Sequence, residues 1–127
     1  MNEYEKIVKK FWNCFDNGNF DETKKYLEAN IIVRWPNTRE IFRDRDSFVL
    51  VNKKYPGRWR IRIEKLISKG DEVVSVVKVE SEDRVQSFYA TSFFSFEDGL
   101  ISEITEYWGN NGEPPEWRIK EKLSERY

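Results

Sequence analysis

The order and periodicity of the apolar residues predict an α+β fold. A curved antiparallel sheet wraps N-terminal helices as a cone-shaped half-barrel, in the order ααββαββββ. Three observations carry this. Apolar residues recur at spacings of three and four near the start of the chain, and at spacings of two from Trp59 onward. Clusters of Gly, Pro, Asn and Asp cut the chain between these stretches. A run of helices followed by a run of strands argues for helices packed on one face of an antiparallel sheet.

Tyr4, Ile7, Val8, Phe11, Trp12 and Phe15 form one helical stripe, and Asp16-Asn17-Gly18-Asn19 stops it. Asn19 and Glu22 have the spacing of a capping box, so a second, shorter helix is expected with Tyr26 and Leu27 on its apolar side. Ile31 to Trp35 reads as a strand ended by Pro36-Asn37, and Arg39 to Phe42 as its short return. Asp46 to Lys54 suits a third helix, with Phe48, Val51, Asn52 and Tyr55 along one stripe, closed by Tyr55-Pro56-Gly57. Trp59, Ile61 and Ile63 then alternate with Arg58, Arg60, Arg62 and Glu64, one face buried and one solvated. Lys69-Gly70-Asp71, Glu82-Asp83-Arg84 and Glu97-Asp98-Gly99 turn the chain into three further strands, Glu72 to Glu80, Val85 to Phe96 and Leu100 to Trp108. A tail from residue 109 to 127, expected to pack on the body or at the cavity mouth, completes a single domain spanning 1–127.

Composition narrows the chemistry. The 127 residues include no histidine and one cysteine, Cys14. Ser-His-Asp and Cys-His nucleophile systems are therefore excluded within the chain, as are zinc sites built from His and Cys. No metal or cofactor is expected. One cysteine closes no intrachain disulfide. Lys6 and its neighbours carry no apolar leader, and no apolar run approaches the roughly 20 residues that span a bilayer, so the expected address is cytoplasmic with no membrane partner. A formal net charge of −1 gives no bulk attraction to nucleic acid. Five tryptophans, six tyrosines and nine phenylalanines are a heavy aromatic load, and a ligand grip would rest on them and on arginine.

The element order, together with Val33-Arg34-Trp35-Pro36-Asn37-Thr38-Arg39-Glu40, Phe42-Arg43-Asp44-Arg45-Asp46, Tyr55-Pro56-Gly57-Arg58-Trp59, Glu106-Tyr107-Trp108 and Pro115-Glu116-Trp117-Arg118, resembles a bacterial subgroup of the SnoaL-like (polyketide cyclase-like) branch of the nuclear-transport-factor-2-like superfamily. The resemblance covers essentially the whole chain. It implies a cone-shaped α+β fold, commonly dimerised through the sheet, with a pocket between sheet and helices. Arg39 and Asp44 stand where the resemblance leads one to expect glycine. The superfamily hosts isomerases, cyclases, dehydratases, epoxide hydrolases, binding proteins and scaffolds, so fold does not assign function. The steroid-isomerase type implies an Asp base near the first strand, where this chain has Arg34 and Trp35. The cyclase type implies a carboxylate on a late strand, for which Glu106 is the analogue by region. The epoxide-hydrolase type implies Asp-Arg-Asp spread over strands, and Asp44-Arg45-Asp46 is one local run.

Glu106 is the candidate acid/base. If Ile104 and Trp108 face the cone, alternation turns Glu106 inward too, and a carboxyl among aromatics titrates high; the alternatives are a structural ion pair or an exposed face. Glu40 and Arg45 would orient a polar ligand head or bridge hairpin to helix. Asn52, on an apolar stripe, points into the pocket or bonds loop backbone. Trp35, Tyr55, Trp59, Tyr89 and Trp108 are candidates for an aromatic cage, with ordinary core packing the competing reading. Trp12 and Phe15 are expected to close the narrow end. Arg58, Arg60 and Arg62 read as a solvated or dimer-rim face. In the third long strand Phe88, Ala90, Phe94 and Phe96 share one face, and Val85, Tyr89 and Phe93 the other. Two apolar faces with helices on one side ask for a second subunit as the other cover.

The reading that follows is a small-molecule-binding protein with an aromatic-lined apolar pocket. One alternative is a metal-free isomerase, cyclase or hydrolase using Glu106 as acid/base, with Tyr55 or Asn52 polarising a ligand oxygen. Another is a dimeric scaffold whose pocket is closed by Trp117 and the Pro114-Pro115 tail.

Overall fold

The computed structural model describes residues 2–127. Helix α1 (Glu3–Asp16) starts where the Asn2 side chain accepts the Glu5 N–H at 2.8 Å, and it buries Val8, Phe11, Trp12 and Phe15. After it, Phe20–Tyr26 winds as a 3-10 helix, and the expected capping box does not form: Asn19 makes no side-chain cap. The tighter winding is stapled instead by the buried Thr23 hydroxyl, which donates to the Phe20 carbonyl at 2.6 Å. Leu27 leaves this segment to open strand β1 (Leu27–Trp35), longer than the pattern suggested because a register shift between Leu27 and Ile32 absorbs Glu28, Ala29 and Asn30.

Strand β2 (Glu40–Phe42) returns antiparallel to β1. Helix α2 (Arg45–Lys54) begins at Asp44, whose carboxylate accepts the Ser47 N–H at 2.7 Å. The acidic residue standing in place of an expected glycine is thus a helix cap. The other such position, Arg39, lies at φ 60°, in the left-handed region that a side chain disfavours.

Strands β3 (Trp59–Lys69), β4 (Glu72–Ser81), β5 (Ser87–Glu97) and β6 (Leu100–Asn110) follow as an antiparallel meander. The sheet order is β2-β1-β6-β5-β4-β3, and β1 pairs with β6 in parallel, the one parallel pair in an otherwise antiparallel sheet. Two bulges bend it. Glu64 is the extra residue of β3, which turns Leu66 inward and Ile67 out. A second shift, between Ser95 and Phe96 opposite Ser102, places Ile101 on the same buried face as Ile104, where simple alternation had set them on opposite faces. Phe11 meets Phe94 edge-on, with ring centroids 5.6 Å apart, at the centre of the core. The Trp12 indole donates to the buried Ser75 hydroxyl at 3.0 Å.

The tail carries helix α3 (Glu116–Glu121), all of whose residues are exposed. Among the described residues no helix is long and apolar enough to cross a membrane.

The end of α1 is tied to β3 by one carboxylate. Asp16 accepts Arg60 Nε at 2.9 Å and Nη2 at 3.1 Å, and the Ile61 N–H at 2.8 Å. Arg58 hydrogen-bonds the Asp16 main-chain oxygen. The Arg60 guanidinium, helped by the Ile61 amide, holds the Asp16 carboxyl below its ordinary 3.8. Asp16→Ala is expected to destabilise the fold by about 1–3 kcal/mol, as it strips a partly buried amide and a guanidinium of their acceptor. The contribution is complete above the ordinary carboxyl value and disappears as pH falls through the lower, folded one, so urea melts of wild type and variant should converge toward about pH 2. Arg39→Gly, which relieves the left-handed strain, is expected to stabilise by about 0.5–1 kcal/mol in the same melts.

Candidate functional site

Between the helices and the wide end of the sheet lies a cavity of about 740 Å³. Strand alternation decides what faces it. Inward from β1 come Ile31, Val33 and Trp35, and the β1–β2 register puts Glu40 opposite Trp35 on that same face. Inward from β5 come Phe88, Ala90 and Ser92; from β6, Ile104, Glu106 and Trp108. Ala90 pairs with Trp108 and Ser92 with Glu106. Ala90, on the cavity wall, therefore sits beside Trp108 and leaves space that a larger side chain would fill, while the buried Ser92 sits beside Glu106.

Glu106 stands on the cavity wall, 7% exposed. Its Oε1 accepts the Trp35 indole N–H at 2.8 Å, and its Oε2 lies 2.7 Å from the Ser92 hydroxyl. Among the described residues it forms no ion pair. Burial pushes its carboxyl above the ordinary 4.5, opposed by the Ser92 and Trp35 hydrogen bonds. Trp35 also meets Trp108 edge-to-face, centroids 5.3 Å apart at 88°. Asn37 locks the Trp108 main chain from both sides: its Nδ2 donates to the Trp108 carbonyl at 2.7 Å, and its Oδ1 accepts the Trp108 amide at 3.1 Å.

Glu40, Asn52, Tyr55 and Trp59 also line the cavity with Trp35, Glu106 and Trp108. Asn52 does so while its Nδ2 donates to the Phe48 carbonyl of its own helix at 2.9 Å, neither a loop partner nor a free amide. The Trp59 indole donates to the Pro56 carbonyl at 2.8 Å, and Tyr55 packs edge-on against Trp59 at 5.6 Å, so the Tyr55-Pro56-Gly57 turn is clipped to the mouth.

Two expected site residues lie elsewhere. Tyr89 is 44% exposed on the outer face of β5, since the strand period that turns Phe88 and Ala90 inward must turn Tyr89 out. Arg45, at the α2 entry, reaches the Leu27 carbonyl at 3.5 Å and Asp46 at 3.7 Å, away from the cavity and from Glu40. Glu40 instead accepts the Thr38 hydroxyl at 2.6 Å. Trp12 and Phe15, expected only as core, are both buried and on the cavity wall. Arg58 precedes β3 and lines the cavity, unlike the outward Arg60 and Arg62. Trp117 is exposed and is not among the residues that line the cavity, whose described lining beyond Trp108 is Asn110 and Asn111.

Ser92 and Asn37 escaped the sequence reading. A serine in the apolar row Phe88, Ala90, Phe94 was a legible signal, because a polar residue on a buried face needs a partner. Asn37 read only as a turn residue. Among the described residues no group of three or more His, Cys, Asp or Glu side chains is placed to hold a metal ion.

The SnoaL-like domain family model matches residues 8–104. A Kribbella flavida structure named as a ketosteroid isomerase superposes with a TM-score of 0.84 at 25% identity, covering 98% of this chain and 90% of that one. An NTF-2 like protein of unknown function from Burkholderia xenovorans gives 0.82 at 17% identity, over 98% and 95%. An LEH-like epoxide hydrolase of M. tuberculosis gives 0.72 at 17%, over 84% and 83%. No curated protein matches.

With its folded carboxyl raised, Glu106 holds in the native state a proton that the unfolded chain has released, so wild-type stability falls as pH climbs from about 4.5 through the folded value. Glu106→Gln is expected to raise Tm by about 2–5 °C near pH 8, with the gain shrinking toward zero near pH 4. Calorimetry at both ends and the midpoint of that range checks it.

Proposed function

We propose that this chain, which belongs to the SnoaL-like domain family, binds a small, largely apolar organic molecule in its cavity. One observation carries the reading: a room of about 740 Å³ walled by aromatics holds a single buried carboxyl, itself positioned by an indole and a hydroxyl. Ligand sites are of this size and this mixture, apolar walls with few fixed polar groups. A core left to pack only itself would fill the space beside Ala90.

A second reading, catalysis, is favoured by the state of Glu106. A carboxyl raised by burial and held at both oxygens is suited to proton transfer, and the family includes isomerases, cyclases and hydrolases. In that reading Glu106 moves the proton, Trp35 and Ser92 position it, and Tyr55 or Asn52 polarises a ligand oxygen. The convex sheet face supports self-association as well. Tyr89, Phe93 and Tyr107 are exposed there, with Phe93 and Tyr107 edge-on at 6.2 Å, and a second copy of the chain is the proposed cover.

The neutral fluorophore N-phenyl-1-naphthylamine tests the cavity. Wild type is expected to enhance its fluorescence saturably, and Ala90→Leu, which fills the floor beside Trp108, to weaken binding about tenfold while the far-ultraviolet dichroism stays unchanged. No saturable enhancement by wild type would overturn the reading. Light scattering on the eluted protein tests association: wild type is expected at twice the 15.4 kDa chain mass, and Phe93→Arg at the chain mass alone.

A further inference from the structure

We propose that the cavity selects a cation: its ligand carries an alkyl- or aralkylammonium group that pairs with the Glu106 carboxylate inside the ring of tryptophans. The inference rests on the small-molecule reading of the cavity and names the ligand's charge class.

The first support is how Glu106 is hydrogen-bonded. An indole N–H donates and never accepts, so Oε1 must present a lone pair to Trp35. The Ser92 hydroxyl lies 2.7 Å from Oε2, within the range of a charge-assisted O–H to carboxylate bond. Both oxygens are thus furnished with donors, as an ionised carboxylate requires. Burial works against that charge, and what the site lacks is a positive partner.

The second support is that no basic side chain among the described residues pairs with Glu106. The two basic side chains on the cavity wall are engaged elsewhere. Lys53 Nζ pairs with Asp21 at 3.0 Å, and the Arg58 guanidinium caps the main-chain oxygens of Asp16 and Trp59. Glu40, the other carboxylate on the wall, accepts the Thr38 hydroxyl and forms no ion pair among the described residues. Among the described residues neither Lys53 nor Arg58 pairs with Glu106 or Glu40, and Arg58, bonded to neutral main-chain oxygens, keeps its own charge.

The third support is the wall itself. Trp35 and Trp108 stand edge-to-face at 5.3 Å beside Glu106, and Trp12 and Trp59 line the same space. Indole faces attract ammonium groups more strongly than other aromatic faces do, and aromatic boxes with a nearby carboxylate suit alkylammonium ions. An anionic ligand would set a second negative charge beside the buried carboxylate, and a neutral one would leave that carboxylate uncompensated.

Three isosteric probes decide it by titration calorimetry at pH 7: 2-naphthylmethylammonium, 2-naphthylmethanol and 2-naphthoate, against wild type, Glu106→Gln and the surface control Glu103→Gln. The ammonium is expected to bind wild type about tenfold tighter than the alcohol, and the carboxylate not measurably. Glu106→Gln should erase the preference for the ammonium over the alcohol, while Glu103→Gln keeps the wild-type order. The wild-type comparison stands even if Glu106→Gln does not fold. Equal or tighter binding of the alcohol, or binding of the carboxylate, overturns the charge assignment and leaves the small-molecule reading in place. Binding of none of the three overturns both.

Discussion

The parallel pairing of β1 with β6 is the contact on which the rest of the molecule depends. It joins the strand nearest the N-terminal helices to the last strand of the meander, some 70 residues away in sequence, and so closes one flank of the cone. Parallel pairs need a long crossover, here everything from β2 to β5. Through this seam Trp35 comes within hydrogen-bond reach of Glu106, and Asn37 within reach of the Trp108 main chain. Without it the candidate site has no third wall, and its carboxyl has no indole partner.

Two carboxylates express opposite uses of burial. Asp16 lies at the surface end of α1 with a guanidinium and an amide, and its charge holds helix to sheet. Glu106 lies inside with two neutral donors and no cation, and its charge opposes folding as pH rises. A buried carboxyl with neutral donors supports the proposed binding role of the site. The small Ala90 supports the same reading, since it leaves room beside Trp108 where a larger side chain would fill it.

Much of this was legible in the residues. The stripe of α1, the period-two strands and the Gly- and Asp-bearing turns place every major element, because these patterns report local geometry that each segment adopts for itself. The inward turn of Glu106 beside Trp108 was legible for the same reason. Less legible were features in which two segments negotiate. The capping box at Asn19 yielded to a 3-10 turn stapled by Thr23. Bulges at Glu64 and opposite Ser102 shifted the phase of Leu66 and Ile101. Tyr89, proposed for the cage by residue type, lies outside by strand period, and Arg45 turned to a main-chain carbonyl.

By itself, then, the sequence determined the fold class, the element order, the exclusion of histidine- and cysteine-pair chemistry, and the one late-strand carboxyl with a claim on the cavity. Each is written in local spacing or in composition, and neither needs a partner segment to be read. Only the tertiary structure decided which aromatics wall the cavity, that Trp35 and Ser92 hold Glu106, that Asn37 holds Trp108, and that no described basic side chain pairs with the buried carboxyl. Those are facts about residues distant in the chain, and they come into being only when β6 is flanked by β1 on one side and β5 on the other, in fixed register.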